Sequence, residues 1–192
     1  MIVPSEFESR WLAASEAFEK DNKELAIKLF KELYDDGFGC CATELGMIYE
    51  SIQNMESAIF WYQKGMRELD SDSFVGLANI YARGQGVEVN LEYAKEVLSI
   101  GAEACKACKE KTDHRINLLL GDIHLLENDE VRAVASYRKS YSQGNLIALK
   151  RLNCLDKEKG NYIRFAIGRI ALFFKVYIVL RKDIRDIRVR EF

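Results

Sequence analysis

"LANIYARGQGVEVNLEYAKEVLSIGAEA", Leu77–Ala104, decides how the whole chain reads. Two runs with apolar residues at helical spacing flank "ARGQGVEVN". Gly84 and Gly86 can take positive φ and end the first run. Val87 is expected to turn inward, and Asn90 stands where it can cap the second run. The only proline is Pro4, so nothing further along removes a helix donor.

The pattern recurs. Leu45-Gly46 is followed by Tyr49, Ala58 and Trp61-Tyr62. Leu77-Ala78 is followed by Tyr81, Ala94 and Val97-Leu98. Leu120-Gly121 is followed by His124, Ala133 and Ser136-Tyr137. A weaker first copy holds Ala13-Ala14, Ala17, Ala26 and Leu29-Phe30. One period is two antiparallel helices and their turns. Gly or Ala on the first helix and Ala on the second let the backbones approach, and the larger side chains fill the space between hairpins. The third copy carries four extra residues between its helices, which the glycine turn absorbs. "ESIQNMESAIFWY" and "LLENDEVRAVASY" reverse direction without glycine, the latter through Asn128-Asp129.

With these residues in place, the third copy resembles a Sel1-like repeat, a relative of the tetratricopeptide repeat. "ATELGMIYE…AIFWYQKGM" and "NLLLGDIHLLENDEVRAVASYRKSYSQG" lack the glycine turn and are equally similar to tetratricopeptide repeats. The resemblance covers about residues 8–148. It implies an all-α fold, a right-handed superhelix of four to five antiparallel helical hairpins with a long C-terminal helix. Two regions are expected: helical repeats over 1–148 and a basic, apolar capping region over 149–192.

Charge divides along the same line. Residues 1–149 hold 16 Lys/Arg and 25 Asp/Glu; residues 150–192 hold 12 and 5. The acidic first part is a poor nucleic-acid binder, since that function needs a cationic footprint. Residues 162–180 are mostly apolar, but Arg164, Arg169 and Lys175 interrupt them. Each would cost about 2.5–3.5 kcal/mol near a bilayer centre. A helix that caps the last hairpin is the preferred reading. A membrane contact through residues 160–182 is the alternative.

No catalytic, metal or cofactor site is expected. His124 replaces a packing tyrosine, and His114 falls in a turn region. Cys105 and Cys108 form a lone CxxC with no second ligand pair, so zinc is not indicated. Five cysteines at irregular spacing do not suggest a disulfide framework, and the N-terminal residues lack a signal-peptide pattern, so a cytoplasmic setting is expected. GQG lacks the rest of a phosphate loop, and Glu127, Asp129 and Glu130 fit a solvated helix start.

By analogy with tetratricopeptide repeats, groove-facing positions fall at Trp11, Phe18, Thr43, Met47, Glu50, Val75, Asn79, Ala82, Leu118, Asp122 and Leu125. The strongest candidates for partner binding are Trp11, Phe18, Thr43, Met47, Glu50, Asn79, Asp122 and Leu125. A strip of apolar anchors beside acids suits a peptide or helix with basic flanks. The expectation is a non-enzymatic module that binds a protein partner. The family resemblance adds a bacterial immunity protein, neutralising a cognate secreted toxin, as one form of that role.

Overall fold

Asparagine or aspartate stands at the start of most helices in this chain. The computed structural model describes residues 5–107, 113–158, 160, 167–173 and 175. Its helices are α1 (Glu6–Glu19), α2 (Lys23–Asp35), α3 (Cys41–Ser51), α4 (Met55–Arg67), α5 (Ser71–Arg83), α6 (Leu91–Ala107), α7 (His114–Leu126), α8 (Glu130–Ser142) and α9 (Leu146–Glu158). Residues 167–173 are helical as well, and no strand occurs among the described residues. Asn22, Asn54, Asp70, Asp113 and Asp129 accept a backbone N–H from the helix each precedes. Ser5 forms a full capping box with Glu8. The exception is α3, which follows Cys40 without a side-chain cap. Its entry is a tight turn in which Cys41 N–H donates to Phe38 O and Ala42 N–H to Gly39 O, both at 3.0 Å.

Helix ends are equally uniform. After α1, Asn22 N–H reaches back to Ala17 O (2.9 Å) and Asp21 N–H to Phe18 O (2.9 Å). This paired closure requires a left-handed residue between helix and cap. Asp21, Gly37, Gln53, Leu69, Asn128 and Gly144 fill that position after α1, α2, α3, α4, α7 and α8, all with positive φ.

The widened turn obeys the same rule by another route. Asn54 N–H donates to Tyr49 O (3.0 Å), and Asp129 N–H to His124 O (2.8 Å). Asn90 N–H donates to Tyr81 O at 2.9 Å, although four more residues intervene. The hairpin stays in register across the extra residues. Gly84 and Gly86, both at φ 67°, turn the chain there, and the Asn90 side chain caps α6 through Tyr93 N–H at 2.9 Å. Val87 is half-buried.

Packing groups the chain into two compact units, residues 1–111 and 112–192. The expected boundary at 148/149 falls inside α9, so that helix runs across it. The first unit holds the hairpins α1–α2, α3–α4 and α5–α6, with α2 on α3, α4 on α5, and α3 also touching α5. The second holds the hairpin α7–α8, with α9 packed on α8. Most of the residues expected to form the long C-terminal helix lie outside the described residues.

Glycine and tyrosine set the hairpin geometry. A Cβ at Gly46 would stand 2.6 Å from Cδ1 of Tyr62, and one at Gly76 would stand 2.5 Å from Cζ of the same ring. Tyr62 is therefore pinned between α3 and α5 by two glycines. Gly121 leaves the same room for Tyr137. Where the first helix has alanine instead, at Ala14 and Ala78, the second helix offers Phe30 and Leu98, side chains without a hydroxyl.

Candidate functional site

On α3, Cys41, Ala42, Leu45 and Ile48 are buried, which turns Glu44 and Met47 outward. Glu44, Met47 and Glu50 are spaced by three, so they neighbour one another along the helix. Met47 is 39% exposed. Tyr62 of α4 packs on Gly46, on the same helix as Met47, and its hydroxyl donates to Glu50 Oε2 at 2.8 Å. Burial, then Glu50, raises the Tyr62 hydroxyl above the usual phenol range. The start of α5 adds two more acids. Asp70 accepts from Asp72 N–H (2.9 Å), and Asp72 opens the half-buried face that continues through Val75 and Asn79. Burial, then Asp72 and Asp70, pushes the Glu44 carboxyl up to about 7. Four carboxylates thus crowd the α3–α5 face next to an exposed methionine. Such a face can take a cation and an apolar side chain together.

Not every residue chosen from sequence lies on that face. Thr43 is buried at 3% exposure. Its hydroxyl donates to Asp70 Oδ2 (2.8 Å) and lies 2.6 Å from Ser73 Oγ, beside Gly65, where added bulk would strike Ser73. Its place is structural, tying α3 to α5. Ala82 is likewise buried. Trp11 is half-buried, edge-on to Phe30 at 5.2 Å and beside Phe7 at 5.6 Å. Phe18 is also half-buried and packs on the same core. Asn79 stays half-exposed on α5. Asp122 and Leu125 belong to the second unit. Asp122 accepts from Tyr137 Oη at 2.6 Å and pairs with Arg151 Nε at 3.4 Å. Leu125 and Leu118 pack against the Ala133–Tyr137–Ala148 cluster.

Met47, Glu50 and Asn79 are therefore on the two helices that build the acidic face, and Thr43 is sealed beneath it. Sequence analysis missed Glu44 and Asp72 on this face. Their signal was available: Glu44 lies one helical turn before Met47, and Asp72 one turn before Val75.

His124 is half-buried with its Nδ1 3.3 Å from Ser136 Oγ. His114 opens α7, with Nδ1 3.1 Å from Asn145 Nδ2. Cys105 is buried, while Cys108 lies outside the described residues. Among the described residues no group of three His, Cys, Asp or Glu side chains could hold a metal ion. No described helix is long and apolar enough to cross a membrane. Residues 160–182, the expected membrane contact, fall mostly outside the described residues.

Helical hairpins in series, closed by similar turns apart from the widened one and spaced by small residues, define a helical-repeat architecture. Residues 42–67, the α3–α4 hairpin, match the tetratricopeptide repeat model. The fold is shared with a protective antigen of uropathogenic Escherichia coli strains described as displaying an SLR fold (TM-score 0.64, 18% identity, 90% of this chain and 42% of that one). It is shared too with a Sel1 repeat protein from Oxalobacter formigenes (TM-score 0.57, 21% identity, 77% and 63%) and with MamA (TM-score 0.56, 16% identity, 91% and 94%). The chain accordingly shares the fold of Sel1-like, tetratricopeptide-related repeat proteins, and spans less than two thirds of the first two of these structures. By sequence, no characterised protein gives a significant match.

Proposed function

We propose that the chain is a non-enzymatic protein-binding module whose docking surface is the α3–α5 face. The observation that carries this reading is the convergence of Glu44, Glu50 and Asp72 around Tyr62, with Asp70 beside Glu44, on the helix that exposes Met47. The complementary partner presents a lysine or arginine next to an apolar side chain. Met47 provides the anchor, while Glu44, Glu50 and Asp72 hold the cation. Asn79, half-exposed on α5, supplies a hydrogen-bonding group at the rim. Recognition, not a reaction, is the role of this surface.

The specific form we propose is an immunity-type inhibitor of a basic secreted toxin, acting in the cytoplasm. The excess of 25 acidic over 16 basic residues across 1–149 supports it. Affinity purification from the native host followed by titration calorimetry tests both levels. A stoichiometric complex that weakens at least tenfold with Met47→Ala or Glu50→Lys, and loses affinity as salt rises, supports the surface. A complex indifferent to both changes sinks it. Loss of toxin activity in that complex supports the inhibitor form.

A second reading rests on Ile167, Ile170 and Phe173, exposed by 61%, 58% and 69% near Arg169 and Lys175. It places a membrane surface against the C-terminal segment. Co-sedimentation with anionic vesicles that disappears in Ile170→Asp/Phe173→Asp would favour it.

A further inference from the structure

Lys64 of α4 meets aromatic rings where its neighbours meet acids. Its Nζ stands 5.2 Å from the ring centre of Tyr34, 5.1 Å from that of Phe60 and 5.7 Å from that of Trp61, all within cation–π reach. Lys31 of α2 lies over Tyr49 in the same way, at 5.5 Å. By contrast, Arg10, Lys20, Lys23 and Lys28 each have a carboxylate oxygen within 2.6–4.0 Å. Among the described residues no carboxylate pairs with Lys31, Lys64 or Arg67. A ring face attracts an ammonium but takes no conventional hydrogen bond, so the three N–H donors of Lys64 keep their capacity.

Phe60, Lys64 and Arg67 are spaced four and three apart, which makes them one stripe along α4. Phe60 is 51% exposed, Lys64 half-exposed and Arg67 exposed. Tyr62, whose hydroxyl bonds Glu50 of the acidic face, is two residues from both Phe60 and Lys64, about 200° around the helix. The stripe therefore points away from the acidic face, and one copy cannot bring the two together.

The two surfaces match in kind. One offers cations beside an exposed phenyl ring, and the other offers carboxylates beside an exposed thioether, so charge pairing and a sulfur–aromatic contact are both available. We propose that the Phe60–Lys64–Arg67 stripe of one copy docks on the α3–α5 face of a second copy, with Lys64 and Arg67 against Glu44 and Glu50 and Phe60 against Met47. This rests on the reading of the α3–α5 face as a docking surface. A contact between two different patches is heterologous, so a third copy can add to the first two. An external partner and a second copy compete for the same carboxylates.

Sedimentation velocity of the purified full chain, from about 1 μM to about 1 mM, tests the contact. The expected result is a sedimentation coefficient that rises with concentration and falls back to the monomer value at high salt. Lys64→Glu should weaken association at least tenfold. Lys64→Met, which keeps the stem on the rings and removes only the charge, should weaken it in the same direction. Met47→Lys should also weaken it at least tenfold, because its ammonium neutralises Glu44 and Glu50 one turn to either side. Thermal melts like that of the parent chain show that the variants fold. The decisive sample mixes Lys64→Glu with Met47→Lys. Each lacks a different patch, so together they should form a 1:1 dimer that grows no further. A chain monomeric up to about 1 mM overturns the proposal, as does association indifferent to both Lys64 variants or a mixture that stays monomeric. If the chain is monomeric yet forms a Met47-dependent complex with a host protein, the α3–α5 face remains a docking surface and only its recognition of a second copy is overturned.

Discussion

Leu69 holds φ 59° at the end of α4, and Gln53 holds φ 60° at the end of α3. Both are left-handed residues with a Cβ, which crowds the following carbonyl. Gly37 and Gly144 meet the same demand without that cost. Leu69 is also 53% exposed, so its side chain contributes little burial. Leu69→Gly should therefore raise stability by about 1 kcal/mol, read as a higher urea midpoint at unchanged slope. Glu44 makes a second prediction at this scale. Burial, then Asp72 and Asp70, holds its carboxyl at about 7 in the folded chain, against 4.5 ordinarily. The folded state thus binds the proton more tightly than the unfolded chain does. The stabilisation that Glu44 contributes must fall as pH rises from about 4.5 to about 7, and stay low above that. The loss is on the order of 1–3 kcal/mol after allowance for partial exposure. Glu44→Gln should flatten that part of the pH–stability curve, gaining stability at pH 8 and little at pH 4. A curve that keeps its slope would show that other groups set it.

At the scale of the helix pair, the spacing of small residues decides what can pack. Gly121 faces Tyr137, whose ring leaves no room for a methyl group. Gly121→Ala should cost about 1–3 kcal/mol by overpacking. Tyr137→Leu, which copies the Ala78/Leu98 pairing of the third hairpin, should return part of that cost in the double variant. Denaturant titrations of both singles and the double give the coupling energy, and simple additivity would deny the contact its role. Much of this was legible in the sequence. Leu-Gly on one helix and a tyrosine on the next, repeated at fixed offset, can only be met by close-packed hairpins. The Asn90 cap followed from its position before the second helical run. The outward face was less legible. Thr43 and Met47 differ by one helical turn in sequence, yet one is sealed against Asp70 and Ser73 and the other faces solvent. That difference depends on how α5 begins beside α3. Polar neighbours brought together from different helices leave no periodic trace in either one.

Across the whole molecule, packing is chiefly between elements adjacent in the chain, and it divides at 111/112. Stability in such an array is approximately a sum of local terms. Gly121→Ala should therefore speed amide exchange in α7 and α8 while leaving protection in α3–α6 unchanged. Uniformly faster exchange would mean that the chain opens as one cooperative body. Charge is also a property at this scale: the acidic excess was countable from composition, but its focus around Tyr62 required knowing which helices lie side by side. The widened turn carries a different message. Asn90 N–H closes on Tyr81 O just as the shorter turns close on their own carbonyls, so the register of the hairpin does not depend on how many residues lie between. That stretch is a natural cassette. Foreign peptide spliced in after Gln85 should leave the melting temperature nearly unmoved, because doubling a loop adds only about 0.6 kcal/mol of closure entropy. Lineages carrying this repeat could likewise diversify there, trying out new sequence without renegotiating the scaffold.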